Sequence, residues 1–355
     1  MRRVIPGASN RVASGFGEDL EYFIPNDNNR VDKKNIFPYL PNKRCDASSR
    51  TQPRNKTLPH LRFATACRYV ARNRNKDADM KYGIHLPHAG EQATPTLIRR
   101  HAERAEALGL EDVWVSEHII VPRDKFPRSP LFFDPVLSLT LAAAVTKRVR
   151  LGTSVLVLPM RHPLPLAKEL ATLHNFSEGR LILGAGSGWL KEEFAALGVP
   201  FNERGRRLDE GLAMMRAVWS EDPVTFVSRY IPAAIEGMSM TPMPVSRIPL
   251  WFGGSSDAAL KRTIRIGDAW HGSGHTAEQA APLIARLREA RPGPDFTISM
   301  RVQWDGKDRG VLRALVDSYA AIGADHLLIA PQDRNVDDWE AVTEGVGALV
   351  GSFSS

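Results

Sequence analysis

Leu183-Gly184-Ala185-Gly186-Ser187-Gly188-Trp189 and, farther along, Trp251-Phe252-Gly253-Gly254-Ser255-Ser256 are the two stretches that settle the fold. Each is a short apolar run that breaks into a glycine-rich turn and then into a helical period, the form of a strand feeding a helix beside a parallel sheet. Reading outward, the same alternation recurs. Strands are expected at 81–86, 111–115, 149–158, 180–184, 248–252, 268–271, 296–302 and 326–330. The segments between them are amphipathic: Leu97, Ile98, Ala102, Ala105 and Leu108 share one helical face, as do Leu208, Leu212, Met215 and Trp219, and Leu312, Leu315, Val316 and Tyr319. A last helix is expected over 337–351. Eight strand–helix units fit a (β/α)8 TIM barrel of about 250 residues. A doubly wound open sheet would carry its glycine fingerprint after the first strand. Here the glycine turns follow the fourth and fifth, so the α/β barrel is expected.

The pattern begins abruptly at Met80-Lys81-Tyr82-Gly83-Ile84-His85-Leu86-Pro87. Residues 1–79 show no sustained period, apart from a short helix expected over Leu61–Ala71, and are rich in Arg, Asn, Lys and Pro. A stretch of that composition buries too little apolar surface to offset its ordering entropy, so a disordered basic extension is expected. Two readings of it stand: sequence upstream of a true start at Met80, or a genuine basic tail. The domain division is therefore 1–79 and 80–355.

The formal net charge of +7 is unevenly placed. Residues 1–79 hold 16 Lys and Arg against 8 Asp and Glu, whereas the rest of the chain holds 31 against 32. A nucleic-acid groove needs basic residues gathered on the folded surface, and the neutral body argues against one. Both cysteines, Cys45 and Cys67, lie in the extension, which leaves the body without a disulfide framework or a thiolate metal site. No run approaches the eighteen apolar residues of a membrane span, and the amino terminus lacks the apolar core of a secretory signal. A soluble cytoplasmic protein is the expectation.

In a barrel, chemistry gathers at the carboxyl ends of the strands. In order, those ends carry Ser116-Glu117-His118, then Leu151-Gly152-Thr153-Ser154-Val155-Leu156, the two glycine turns, and Gly267-Asp268-Ala269-Trp270-His271. With Leu170-Ala171-Thr172-Leu173-His174-Asn175-Phe176-Ser177-Glu178-Gly179-Arg180 and Arg204-Gly205-Arg206-Arg207-Leu208-Asp209-Glu210, these stretches resemble, across 80–355, the luciferase-like monooxygenase superfamily. The resemblance is closest to its branch of oxidoreductases that depend on the deazaflavin coenzyme F420.

That resemblance implies roles. His118 would face the reactive carbon of the deazaflavin as proton donor or acceptor, a task suited to an imidazole, whose unperturbed pKa is about 6.5. Glu117 stands where many relatives carry Asp, which keeps the carboxylate but alters its reach. A non-prolyl cis peptide would fall at a strand bulge, between Ser154 and Val155, and support the back of the ring. Ser187, Gly188 and Trp189 match positions that line the ring and its side chain. Gly253, Gly254 and Ser255 match the loop that takes the cofactor's phosphate, where bare amides ahead of a helix suit an anion and Asp257 is the one unhelpful neighbour. The implied chemistry is hydride transfer to or from a small organic substrate, and the implied assembly is a homodimer.

The same residues also have plainer readings. Taken alone, His118 is a hydrogen-bonded structural histidine, glycines 184, 186 and 188 permit a tight turn, and Trp189 is pocket wall. Arg204, Arg206 and Arg207 read as surface partners of Asp209 and Glu210, outside any site, and Asp268 as a residue that orients a neighbouring turn. His85 and His88 are three apart, whereas ligands on one strand face are two apart, so a metal hydrolase is not expected. Two other functions compete: an FMN-dependent monooxygenase of the same superfamily, and a non-enzymatic flavin carrier or adaptor. The loops 119–134 and 220–247, with aromatic, proline and methionine residues, are expected to shape a pocket for a substrate with apolar surface.

Overall fold

A computed structural model describes residues 80–126, 128–229, 234–333 and 335–352. The expected helix at Leu61–Ala71, and the reading of 1–79 as an extension, lie outside the described residues.

The strands of the main sheet are β1 (Lys81–His85), β2 (Asp112–Val115), β3 (Arg150–Thr153), β4 (Leu156–Val157) and β5 (Leu181–Gly186), followed after an insertion by β8 (Leu250–Gly253), β9 (Ala269–Ser273), β10 (Thr297–Trp304) and β11 (His326–Pro331). Every neighbouring pair is parallel, in the order β3-β2-β1-β11-β10-β9-β8-β5-β4, and a β3–β5 pairing closes the ring. This is a (β/α)8 barrel. The strand expected over 149–158 is two pieces, because the chain bulges at Ser154 and Val155, whose peptide bond is cis. That is the position the resemblance implies.

The helices are α1 (Pro95–Ala107), α2 (Pro135–Ala143), α3 (Pro163–Phe176), α4 (Lys191–Ala196), α5 (Arg204–Ser220), α6 (Asp257–Ile266), α7 (Ala277–Ala290), α8 (Arg309–Ala321) and α9 (Val336–Gly351). The first three start alike. A polar cap (Thr94, Asp134 or His162) accepts a hydrogen bond from a first-turn amide, and a proline fills the position whose N–H would be orphaned. The expected faces are the buried ones: Ile98, Ala102 and Ala105 on α1, Leu208, Leu212 and Met215 on α5, Leu312, Val316 and Tyr319 on α8.

Inside the ring, Trp114 and Trp251 fill the space with Ile182, Ala269 and Leu328. Trp114 fits only because its neighbour on β3 is Gly152, where an added Cβ would lie 2.2 Å from the indole. Truncating a buried tryptophan of this kind to alanine costs about 3–5 kcal/mol.

The segment 220–247 departs from expectation. It contains an antiparallel hairpin, β6 (Val224–Val227) and β7 (Ala234–Met238), and it precedes β8. A segment that follows a helix returns to the amino-terminal ends of the strands, whereas pocket-forming loops leave the carboxyl ends. Its tail accordingly packs on the end of α3: Asn175 donates from its side chain to the Met243 carbonyl at 2.9 Å, and Ser246 Oγ lies 2.9 Å from His174 Nε2. Its described residues do not line the pocket at the other end.

Candidate active site

A cavity of about 480 Å³ opens at the carboxyl ends of the strands, and Glu117, His118, Ser154, Val155, Ser187, Gly188, Trp189, Gly253, Gly254 and Ser255 all line it. Residues separated by up to 138 positions in sequence thus meet because each ends a strand of one closed ring.

His118 follows β2. Its Nδ1 lies 3.2 Å from Glu193 Oε2, and the other carboxylate oxygen accepts the backbone N–H groups of Ile119 at 2.6 Å and Ile120 at 3.3 Å. Glu193 belongs to α4 and is buried. A carboxylate oxygen bound in this way accepts, so Nδ1 carries the proton and Nε2 is the nitrogen left for the cavity. The ring packs against Phe126 and Phe132, both edge-on with centroids 4.9 Å away, and Trp189 stands perpendicular to it at 6.1 Å. Trp189 is 64% exposed, which makes it a rim residue rather than core.

Glu117 is arranged differently. One oxygen accepts the Val157 amide at 2.5 Å and the other the Arg161 guanidinium at 2.6 Å; Arg161 in turn reaches Asp134, the cap of α2, at 2.7 Å. Burial pushes the Glu117 carboxyl up, opposed by Arg161 and the Val157 amide. Both oxygens are engaged by this chain, and through them Glu117 ties the Val157 amide of β4 to Arg161 and so to the cap of α2.

Gly188 has φ +80°, and a Cβ there would lie 2.5 Å from Val157 Cγ1 and 2.7 Å from Phe194. The turn after β5 therefore needs glycine on both counts. The loop after β8 leads into α6, capped by the Ser256 hydroxyl on the Ala259 amide. Asp257 is turned away, paired with Lys261 at 2.8 Å and Arg286 at 2.6 Å, and these cations hold its carboxyl below the ordinary range. The unhelpful charge expected beside the loop is thereby offset.

Three charged lining residues escaped the sequence reading. Besides Glu193 there is Arg204, placed there on the surface, which lies in the cavity wall with its guanidinium carbon 3.9 Å from the Phe201 ring centroid. Its Nε is buried without a hydrogen-bond partner among the described residues. Arg207 pairs with Glu203 instead, and Asp209 with Arg262 and Arg265. The third is Arg301 of β10, which donates to Ser116 Oγ at 3.0 Å and to the Ser154 carbonyl at 3.2 Å. Asp268 does orient its neighbour, accepting the Leu250 amide at 2.7 Å.

Comparisons with known proteins agree with this architecture. The family model described as luciferase-like monooxygenase matches residues 79–344. The chain is 30% identical over 265 residues to an F420-dependent glucose-6-phosphate dehydrogenase of Intrasporangium calvum, covering 70% of this chain and 76% of that protein. Among solved structures, a monooxygenase of Streptomyces bottropensis superposes with a TM-score of 0.63 at 22% identity, over 78% of this chain and all of that one. An F420-dependent secondary alcohol dehydrogenase, solved with an F420–acetone adduct, does so with a TM-score of 0.64 at 19% identity, over 76% and 99%. At these identities the two structures establish shared fold. The match over most of the chain establishes more: this protein belongs to the luciferase-like monooxygenase family of oxidoreductases.

Proposed function

We propose that the protein is an F420-dependent oxidoreductase acting on a small organic substrate held beside His118. The observation that carries this reading is a single cavity that contains both an imidazole oriented by a buried carboxylate and a glycine loop at a helix start with an under-satisfied arginine nearby. Such a cavity suits a ligand with a planar ring and an anionic tail. The buried Arg204 Nε is a donor that an anion would satisfy, so the residues present fit the group. The F420-dependent relative from Intrasporangium calvum supports the deazaflavin over FMN.

When bound, the deazaflavin supplies the hydride chemistry. In this reading the chain supplies position and a proton path. Ser154 and Val155 support the back of the ring, while Ser187, Gly188 and Trp189 flank it. Gly253, Gly254 and Ser255 present the phosphate-binding loop, with Arg204 as the added cation. His118 gives or takes a proton at Nε2, and Glu193 keeps that nitrogen aimed at the cavity. Glu117 is a positioning residue.

Parallel fluorescence titrations of the full chain with F420 and FMN test the reading. Micromolar or tighter F420 binding with much weaker FMN binding is expected. Preference for FMN would move the protein to the monooxygenase side of its family, and binding of neither by a folded sample would remove the proposal.

A further inference from the structure

Beneath the cavity, a chain of buried polar groups runs through the barrel and has no part in the roles assigned above. Asp112 opens β2 and is fully buried. Its Oδ1 accepts the Trp114 indole N–H at 2.6 Å and lies 2.9 Å from His326 Nε2; its Oδ2 accepts from Arg150 at 2.9 Å. His326 Nδ1 is 2.7 Å from Ser299 Oγ, Ser299 Oγ is 2.7 Å from His271 Nδ1, and His271 Nε2 is 2.8 Å from Ser154 Oγ. Four strands and the bulge between β3 and β4 contribute to one unbroken series, which ends on a residue lining the cavity.

The proton order along this series follows from its ends. Asp112 is a carboxylate: Arg150 and His326 outweigh its burial and hold it at about 2. It can only accept, so His326 carries a proton on Nε2; with that as the ring's only proton, Nδ1 presents a lone pair. Ser299 must donate there, and its oxygen then accepts from His271 Nδ1–H. Burial, with the Arg301 guanidinium adding to it, lowers His271 to about 3 and keeps the ring neutral, so its Nε2 is a lone pair. The Ser154 hydroxyl is left to donate to that lone pair.

We propose that the Asp112–His326–Ser299–His271 series is a positioning device that fixes the Ser154 hydroxyl as a hydrogen-bond acceptor toward the cavity, so that the site selects a ligand offering an N–H or O–H at that point. The series spends the Ser154 proton inward, and the oxygen's remaining lone pair faces the ligand. A carbonyl or other pure acceptor placed there would meet lone pair against lone pair, an unfavourable contact in a buried setting. The identity of the ligand rests on the F420 reading; the proton order does not. Reversal would require a second proton on His326, beside Asp112, which would turn every hydroxyl and present a donor instead.

Two measurements on the full chain test this. Nitrogen-15 NMR of the ring nitrogens, without any added ligand, is expected to place the His271 proton on Nδ1 and the His326 proton on Nε2. A proton on His271 Nε2 would overturn the proposal whatever the protein binds. Second, Ser299→Ala and Ser154→Ala are combined in a double-mutant cycle read by F420 titration. Ser299→Ala is expected to weaken F420 about tenfold, the size of one neutral hydrogen bond, and to have no further effect in the Ser154→Ala background. An equal loss in both backgrounds, or none in either, would show that Ser299 does not act through Ser154. If Ser299→Ala fails to fold, the NMR assignment on the unaltered protein decides. If the unaltered protein binds no F420, the cofactor reading fails while the proton order is still decided.

Discussion

The histidines of the barrel interior and the histidine at its rim are set in opposite ways. His85 and His88, at and just beyond the end of β1, both direct Nδ1 at the Leu86 carbonyl, 3.1 Å away, and both spend Nε2 on Ser116: His85 on the hydroxyl at 2.7 Å, His88 on the backbone N–H at 3.0 Å. His271 and His326 are equally engaged on both nitrogens. His118, one strand away from His85, is bonded through Nδ1 to Glu193, which among the described residues leaves Nε2 for the cavity. The residue type and the strand-end location are shared. What distinguishes a structural histidine from one able to move a proton is whether a nitrogen is left over, and burial with complete hydrogen bonding removes that possibility.

Replacing His118 by alanine should give the largest effect. Loss of a positioned proton-transfer group lowers kcat by about 10²–10⁴-fold, with F420 affinity changed far less. Single-turnover rates set against the titration would separate the two, and a variant turning over at the unaltered rate would place His118 with the structural histidines.

Acid should weaken the interior set. His271 titrates at about 3 in the folded protein, against about 6.5 in an unfolded chain. Between those values the unfolded chain binds a proton that the folded chain does not. The stability is therefore complete above pH 6.5 and is lost as the pH falls toward 3, by at most about 1.4 kcal/mol per pH unit. His101 and His174, both lowered chiefly by burial, add loss of the same sign. Asp112, held at about 2, adds its own as the pH falls below the ordinary aspartate value toward 2. Urea unfolding followed from neutral pH downward should show this slope, and His271→Gln should make it shallower; an unchanged slope would mean that the ring is not held neutral.

His88→Ala tests the other side of the contrast. It leaves the Ser116 N–H and the Leu86 carbonyl without this partner, a cost of about 1–3 kcal/mol in unfolding free energy. Turnover below the melting transition should stay within a few-fold of the unaltered protein. A kcat loss approaching that of His118→Ala would erase the distinction.

Much of this arrangement was legible in the sequence, for reasons that also explain what was not. A barrel sends its strand ends to one mouth, so the strand-end stretches could be gathered from their order, and the family resemblance then implied His118 after β2, the bulge at Ser154-Val155 and the turns at Ser187–Trp189 and Gly253–Ser255. Glu193 could not. It lies 75 residues beyond His118 on a short helix, and no periodicity couples those positions. Arg204 is one of three arginines heading α5, and only the folded chain distinguishes the one beside Phe201 from Arg207, which pairs with Glu203. Arg301 left a readable signal, a single charge inside the apolar run Thr297–Trp304. The pair β6–β7 lies away from the mouth because it follows a helix, and its aromatic and proline content carries no signal of which end of the barrel it meets.

The smallest predicted effect is the most discriminating. Glu193→Gln keeps the size of the side chain and an oxygen that can still accept the Ile119 amide, so the 119–134 loop should hold its place. What changes is the group facing His118. An amide can turn its NH₂ toward Nδ1, and the ring would then carry its proton on Nε2 and offer the cavity a donor where the unaltered ring offers a lone pair. Both tautomers would be populated, and kcat should fall about tenfold, the cost of losing one charge-assisted bond of modest length, with F420 affinity unchanged. The loss should differ between the two directions of the reaction, since one needs a proton accepted at Nε2 and the other a proton given. An equal loss in both directions would indicate that Glu193 holds the loop and not the tautomer, and His118 would then owe its orientation to its contacts with Phe126, Phe132 and Trp189.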